Sequence, residues 1–160
     1  MVDAKNQKEQ KEKIEKCNKY FGPALFNLTW DLIEKGEKRT PEDELMMIHT
    51  AHASAWHWRQ VGTPLNFARS QWQLSRVYSI LGRTKEAMYH AELSLELCKD
   101  NGIGGFDLAF AYEALARASS TVNALETTER YLKLARKASD DIAKKGDRDY
   151  FLSELETIKL

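Results

Sequence analysis

All eight glycines and three prolines of the chain fall into a few short clusters. They are Gly22-Pro23, Gly36, Pro41, Gly62 to Pro64, Gly82, Gly102 to Gly105, and Gly146. A helix interior disfavours glycine by about 1 kcal/mol and proline by about 3 kcal/mol relative to alanine, so these clusters mark where helices stop. Between them the sequence is rich in Ala, Leu, Glu, Lys, Arg and Gln, and no segment alternates polar and apolar residues as a half-buried strand would. An all-α fold follows. Thr40-Pro41 and Thr63-Pro64 each set a capping hydroxyl before a proline suited to the first helical position. Asn123 precedes Glu126 by three residues, a capping-box spacing, and Asp147 is placed to cap a last helix. The punctuation predicts helices near 3–19, 24–35, 41–60, 65–81, 84–100, 106–121, 124–145 and 147–158. Connections of about two to five residues force neighbouring helices to run antiparallel.

Charge and cysteine usage exclude several function classes. Lysine plus arginine and aspartate plus glutamate number 24 each, so no global field draws nucleic acid or an anionic membrane. The 160 residues suit one domain with a core of its own. Cys17 and Cys98 form neither a disulfide framework nor a zinc-ligand spacing, and Cys98, in "ELSLELC", reads as a small buried hydrophobe. The start, "MVDAKNQKEQKEKIEK", lacks an apolar signal segment, and the longest charge-free run, Leu45 to Trp58, is too short and polar to span a bilayer. A cytoplasmic location is the expectation. Lysines in the first twenty residues alternate with Glu9, Glu12 and Glu15, which reads as a solvated helix face.

"HTAHASAWHW" (49–58) gathers three histidines and two tryptophans without a formal charge. On a helix, His49, His52 and Trp56 share one stripe, while Met47, Ile48, Ala51, Ala55 and Trp58 form an apolar stripe roughly opposite. A helix apolar on two faces is expected to lie between neighbours, its tryptophans filling volume and its histidines hydrogen-bonded. His57 points away from His49, so the three imidazoles cannot converge on one ion. No HExxH or comparable metal pattern is present. "NGIGGF" (101–106) follows a helix rather than a strand and lacks a phosphate-loop pattern, so it reads as an inter-helix loop. No nucleophile elbow is present. No cofactor and no metal are expected.

An internal repeat runs through the second half. "QWQLSRVYSILGRTKEAMYHA" (71–91) aligns with "YEALARASSTVNALETTERYL" (112–132) at an offset of 41 residues, matching Leu74 with Leu115, Ser75 with Ala116, and Gly82 with Asn123. Gly and Asn are the two residues best suited to a turn with positive φ. These residues resemble the tetratricopeptide repeat. The first unit supplies Leu74, Ser75, Tyr78, Gly82 and Ala87, and departs from the pattern at Gln71, Ala91 and Lys99. The second supplies Tyr112, Leu115, Ala116 and Ala135, and departs at Ser119 and Thr128. The resemblance covers about half the chain, with repeats of about 41 residues rather than the usual 34.

The resemblance implies antiparallel hairpins stacked as a right-handed superhelix of about seven or eight helices. Along the chain these would be a charged N-terminal helix (1–20), a divergent pair (24–61), repeats at 65–101 and 106–145, and a capping helix (147–159). It further implies a concave groove lined by Arg69, Trp72, Arg76 and Ile80 from one repeat and Phe110, Glu113 and Arg117 from the next. A non-enzymatic adaptor for a protein or peptide follows, with Trp72 and Phe110 as anchors. Arg69, Arg76 and Arg117 would select an acidic or C-terminal carboxylate partner. The competing view of Arg76 and Arg117 is that they pair with acids such as Glu113 and stitch adjacent repeats. The competing function is a small-molecule or metal-binding protein, with His49, His52 and Trp56 in a pocket between the 41–60 and 65–81 helices. A homodimer through exposed stripes of the end helices is a third possibility.

Overall fold

The computed structural model describes residues 2–160, with side chains from residue 5 onward. The described residues hold seven α-helices and no strand: α1 (Val2–Glu34), α2 (Pro41–Val61), α3 (Pro64–Ile80), α4 (Thr84–Asp100), α5 (Gly105–Ser120), α6 (Leu125–Ala138) and α7 (Lys145–Glu156). Single 3₁₀ turns follow α1 at Gly36–Lys38 and α6 at Ser139–Asp141. No helix among the described residues is long and apolar enough to cross a membrane.

From α1 to α6 consecutive helices pack on one another, most closely as the pairs α1–α2, α3–α4 and α5–α6, and α7 packs on α5. The odd-numbered helices also touch in series, α1 with α3, α3 with α5, and α5 with α7. The middle of this arrangement is mainly apolar. Leu74, Val77, Ala87, Ala91, Ala111, Leu115, Ala116 and Ala118 are almost fully buried, and alanines at the crossings let the helices approach closely.

Several boundaries follow the local chemistry. Thr40 caps α2 in a capping box with Asp43, whose carboxylate accepts from the Thr40 N–H at 3.0 Å while the Thr40 hydroxyl accepts from the Asp43 N–H at 3.2 Å. At α3 the Asn66 amide oxygen accepts from the Thr63 N–H and hydroxyl, both at 2.9 Å. Gly82 and Asn123 hold the equivalent turns of the two repeats at φ +67° and +53°.

Three expectations are corrected. Gly22-Pro23 does not end a helix: α1 runs unbroken from Val2 to Glu34 with Pro23 inside it, so the expected boundary between residues 20 and 24 is absent. Tertiary packing accounts for this. A side chain at Gly22 would meet the Trp58 ring at 3.0 Å, and Ser54 donates to the Gly22 carbonyl at 2.7 Å. The glycine serves a close helix crossing, and that contact offsets the proline's cost. The helix expected over 124–145 stops at Ala138, because Ile142 turns inward to join the core with Phe151. Neither Asn123 nor Asp147 is an N-cap. Asn123 takes the left-handed turn instead, and Asp147 lies in the first turn of a helix that begins at Lys145.

Candidate functional site

A ladder of aromatic rings climbs across the odd-numbered helices. Phe26 meets Trp30 within α1 (6.4 Å between centroids), Trp30 meets Trp72 of α3 (5.4 Å), and Trp72 meets Phe110 of α5 (5.0 Å). Phe110 in turn touches Phe106 (4.7 Å) and, on α7, Phe151 (4.9 Å) and Tyr150 (6.0 Å). Contacts of this geometry contribute about 0.5–1.5 kcal/mol each beyond area burial.

The ladder frames an open, mainly apolar cleft of about 210 Å³, walled by Phe26, Ala68, Trp72, Ser94, Phe106 and Phe110. Its rim is an ion pair. Arg69 grips Asp107 with two bonds, Nε to Oδ1 at 2.6 Å and Nη2 to Oδ2 at 3.0 Å. The Arg69 side chain stays 47% exposed and Asp107 only 16%, so the guanidinium meets solvent while the carboxylate sits beneath it. Arg69 Nη1 has no hydrogen-bond partner among the described residues. A smaller recess of about 130 Å³ continues past Phe26 and Arg69, lined also by Asn27, Trp58 and Asn66.

Behind the cleft lies a charged knot. Glu113 is fully buried. Its Oε1 accepts from Arg76 Nη1 (3.1 Å) and Arg117 Nε (2.5 Å), and its Oε2 accepts from the Trp72 indole N–H (3.3 Å). Arg76 Nη2 donates to Glu154 Oε2 of α7 at 2.6 Å, and Arg117 Nη2 donates to the Glu154 carbonyl and the Thr157 hydroxyl. Two guanidinium groups thus face two carboxylates, so the knot carries no surplus charge for a ligand to neutralise. Buried ions require this pairing, since an unpaired one costs several kcal/mol.

The expected groove residues therefore separate. Arg69, Trp72 and Phe110 share the cleft. Arg76, Glu113 and Arg117 are drawn into the knot, which is the stitching arrangement set out above as the alternative. Phe110 is 3% exposed and forms cleft wall rather than a projecting anchor, because rings on three helices enclose it. Ile80 is partly buried against the core cluster that joins α1 to α5.

The histidine–tryptophan helix is covered on one side only. Met47 and Ala51 are buried as expected, whereas Leu45 and Trp56 are 55% and 64% exposed. This corrects the expectation of a helix covered on both faces. The pocket proposed around His49, His52 and Trp56 is not enclosed, because His49 and Trp56 are exposed while His52 turns toward α3 and α4. His52 Nε2 and the Tyr78 hydroxyl share a 2.7 Å hydrogen bond, and His57 Nδ1 bonds Asn18 at 2.8 Å. His90 of α4 stacks on Tyr78 and bonds Gln71 at 2.7 Å. Burial pushes His90 down from 6.5 to about 4, with His52 close by adding to the effect. Burial, then the neighbouring His49 and Arg83, also lowers His52. Both imidazoles are thereby kept neutral near pH 7. No group of three His, Cys, Asp or Glu side chains among the described residues is placed to hold a metal ion. Cys98 is buried, and burial raises its thiol to about 11, which keeps it protonated and unreactive near pH 7.

Phe26, Trp30, Phe106 and Asp107 were not picked out from sequence. A signal was present: Phe26/Trp30 and Phe106/Phe110 are i,i+4 aromatic pairs, and Trp30 precedes Trp72 by nearly one repeat length. Comparison with family models, curated proteins and solved structures returns no match for this chain.

Proposed function

We propose that the chain is a degenerate tetratricopeptide-like adaptor, its hairpins stacked as a right-handed superhelix, that binds a peptide or protein segment along the odd-numbered helices. Two features support the stacking: the serial contacts of α1, α3, α5 and α7, and positive φ at both Gly82 and Asn123, one repeat apart.

The observation that carries the binding role is the aromatic cleft beneath Arg69. At about 210 Å³ it falls below the roughly 300–1,000 Å³ of typical small-molecule sites, and it suits one bulky apolar side chain. The free Nη1 of Arg69 adds a donor at the rim for a neighbouring carbonyl or carboxylate. Selection of an acidic partner rests on Arg69, which is paired with Asp107 but stays 47% exposed, whereas Arg76 and Arg117 are paired and only 15% exposed.

Random peptides displayed on phage and selected on the full chain test this role. The selected peptides should share one large apolar residue beside an acidic one. Arg69→Ala should weaken their binding about tenfold and Phe106→Ala more, with the helical circular dichroism of both variants unchanged. Peptides that bind both variants as tightly as the parent chain would exclude the cleft.

A further inference from the structure

α1 outreaches the helix it packs on. At 1.5 Å per residue its 33 residues extend about 50 Å and the 21 residues of α2 about 32 Å. The end of α2 lies beside Lys11, Ile14 and Lys19, where these residues and Val61 line one recess. Residues 5–10 run on beyond it, all exposed. A few turns of charged helix without a packing partner are marginal in water.

The same helix carries an apolar stripe that α2 covers only along one edge, where His57 meets Phe21 at 5.4 Å between centroids. Ile14, Cys17, Phe21, Ala24 and Leu28 fall within about 80° of its circumference, at the three-and-four spacing of a helix–helix seam. Asn18, Gly22 and Thr29 make the bonds to α2, and Phe26 and Trp30 face α3. The stripe therefore lies away from α3 and from the cleft. Ile14 is 55% exposed, Phe21 and Leu28 are 41% each, and Cys17 is exposed.

Charge indicates what covers the stripe. Residues 5–16 hold five lysines against three glutamates, while the last turn of α1, residues 31–34, holds Asp31 and Glu34 and no cation, with Lys35, Lys38 and Arg39 following the helix. A face that is basic at one end and acidic at the other complements a second copy of itself laid antiparallel. Lys13 and Asp31 project at the same angle, to one side of the stripe, and a two-fold axis brings like sides of two helices together.

We infer that two copies of this chain associate through α1, antiparallel about an axis near Gly22. Lys13 of each copy faces Asp31 of the other, and residues 10–16 lie along the partner's residues 28–34, the last turns of its α1. This does not depend on the peptide-binding role, because the cleft opens on the other side of α1.

Sedimentation equilibrium of the full chain, read against charge-swapped variants, tests the pairing. The wild type should dimerise at micromolar to tens-of-micromolar concentration. Lys13→Asp and Asp31→Lys should each raise the dimer Kd at least fivefold, and the two together should return it to within about twofold of wild type. Leu28→Asp should give a monomer with unchanged circular dichroism. A wild type that stays monomeric to millimolar concentration, a double variant no better than the singles, or a dimer indifferent to Leu28→Asp would each overturn the inference.

Discussion

Behind Trp72, on the odd-numbered helices, four charged side chains meet: Arg76, Glu113, Arg117 and Glu154. On the α2–α4 side the polar groups that meet are His52, Tyr78, Gln71 and His90, neutral near pH 7. Both clusters set polar atoms among aromatic rings. They differ in what each loses when one member is removed. In a low-dielectric interior, opposite charges hold together strongly, but each depends on its partner. A neutral cluster is more tolerant, and it answers to pH because its bases must stay unprotonated. The charged knot also spans greater sequence distance, since Arg76 and Glu154 are 78 residues apart. It fixes α7 against α3 and α5, and with them the aromatic wall of the cleft. The neutral cluster ties together only α2, α3 and α4.

Glu113→Ala should separate the two sides most clearly. It leaves two largely covered guanidinium groups facing one carboxylate and strips the Trp72 N–H of its acceptor. A loss of about 3–5 kcal/mol follows, or about 10 °C in Tm for a chain of this size. Thermal unfolding by circular dichroism measures it, and a loss below 1 kcal/mol would mean the knot is not holding the helices.

The neutral side should respond to acid. Folding holds His90 at about 4 against 6.5, so the unfolded chain takes up a proton that the folded chain refuses between those values. The His90 contribution is therefore complete above pH 6.5 and declines as pH falls toward 4. After allowance for a ring that still meets some water, the loss is about 1–2 kcal/mol. His90→Gln should flatten that part of the pH–stability curve, as urea titrations from pH 7 to 4 would show. An unchanged slope would place the proton elsewhere.

The smallest expected effect belongs to the exposed tryptophan. Trp56→Ala should shift stability by no more than about 0.5 kcal/mol, because the indole is 64% exposed. A larger loss in a chemical melt would mean that this side of α2 is covered in solution.

The helices were legible in sequence where local chemistry decides. Thr40-Pro41 and Thr63-Pro64 start α2 and α3 as their caps require, and Gly82 and Asn123 adopt the left-handed turns anticipated from the repeat. Reading failed where a residue answers to a distant one. Gly22 is small because Trp58 crosses it, and no pattern around Gly22-Pro23 distinguishes that from a turn. Of the two stripes on α2, sequence cannot tell which a neighbour covers, so the exposure of Trp56 was missed. The candidate site divides in the same way. Repeat spacing places Arg69, Trp72 and Phe110 on one side of the molecule, and the pairing of Arg76 and Arg117 with Glu113 is legible as i,i+4 geometry plus one repeat offset. Glu154 lies outside any repeat, and Asp107 looks like an ordinary first-turn acid until Arg69 folds over it.

The two sides can be set against each other in one titration. The four tryptophans, Trp30, Trp56, Trp58 and Trp72, each give an indole N–H resonance in a ¹⁵N-labelled protein. On addition of a peptide selected on the full chain, the Trp72 signal should move and the Trp56 signal should stay fixed. Movement of Trp56 with Trp72 unchanged would put recognition on the opposite side and contradict the cleft as the docking point.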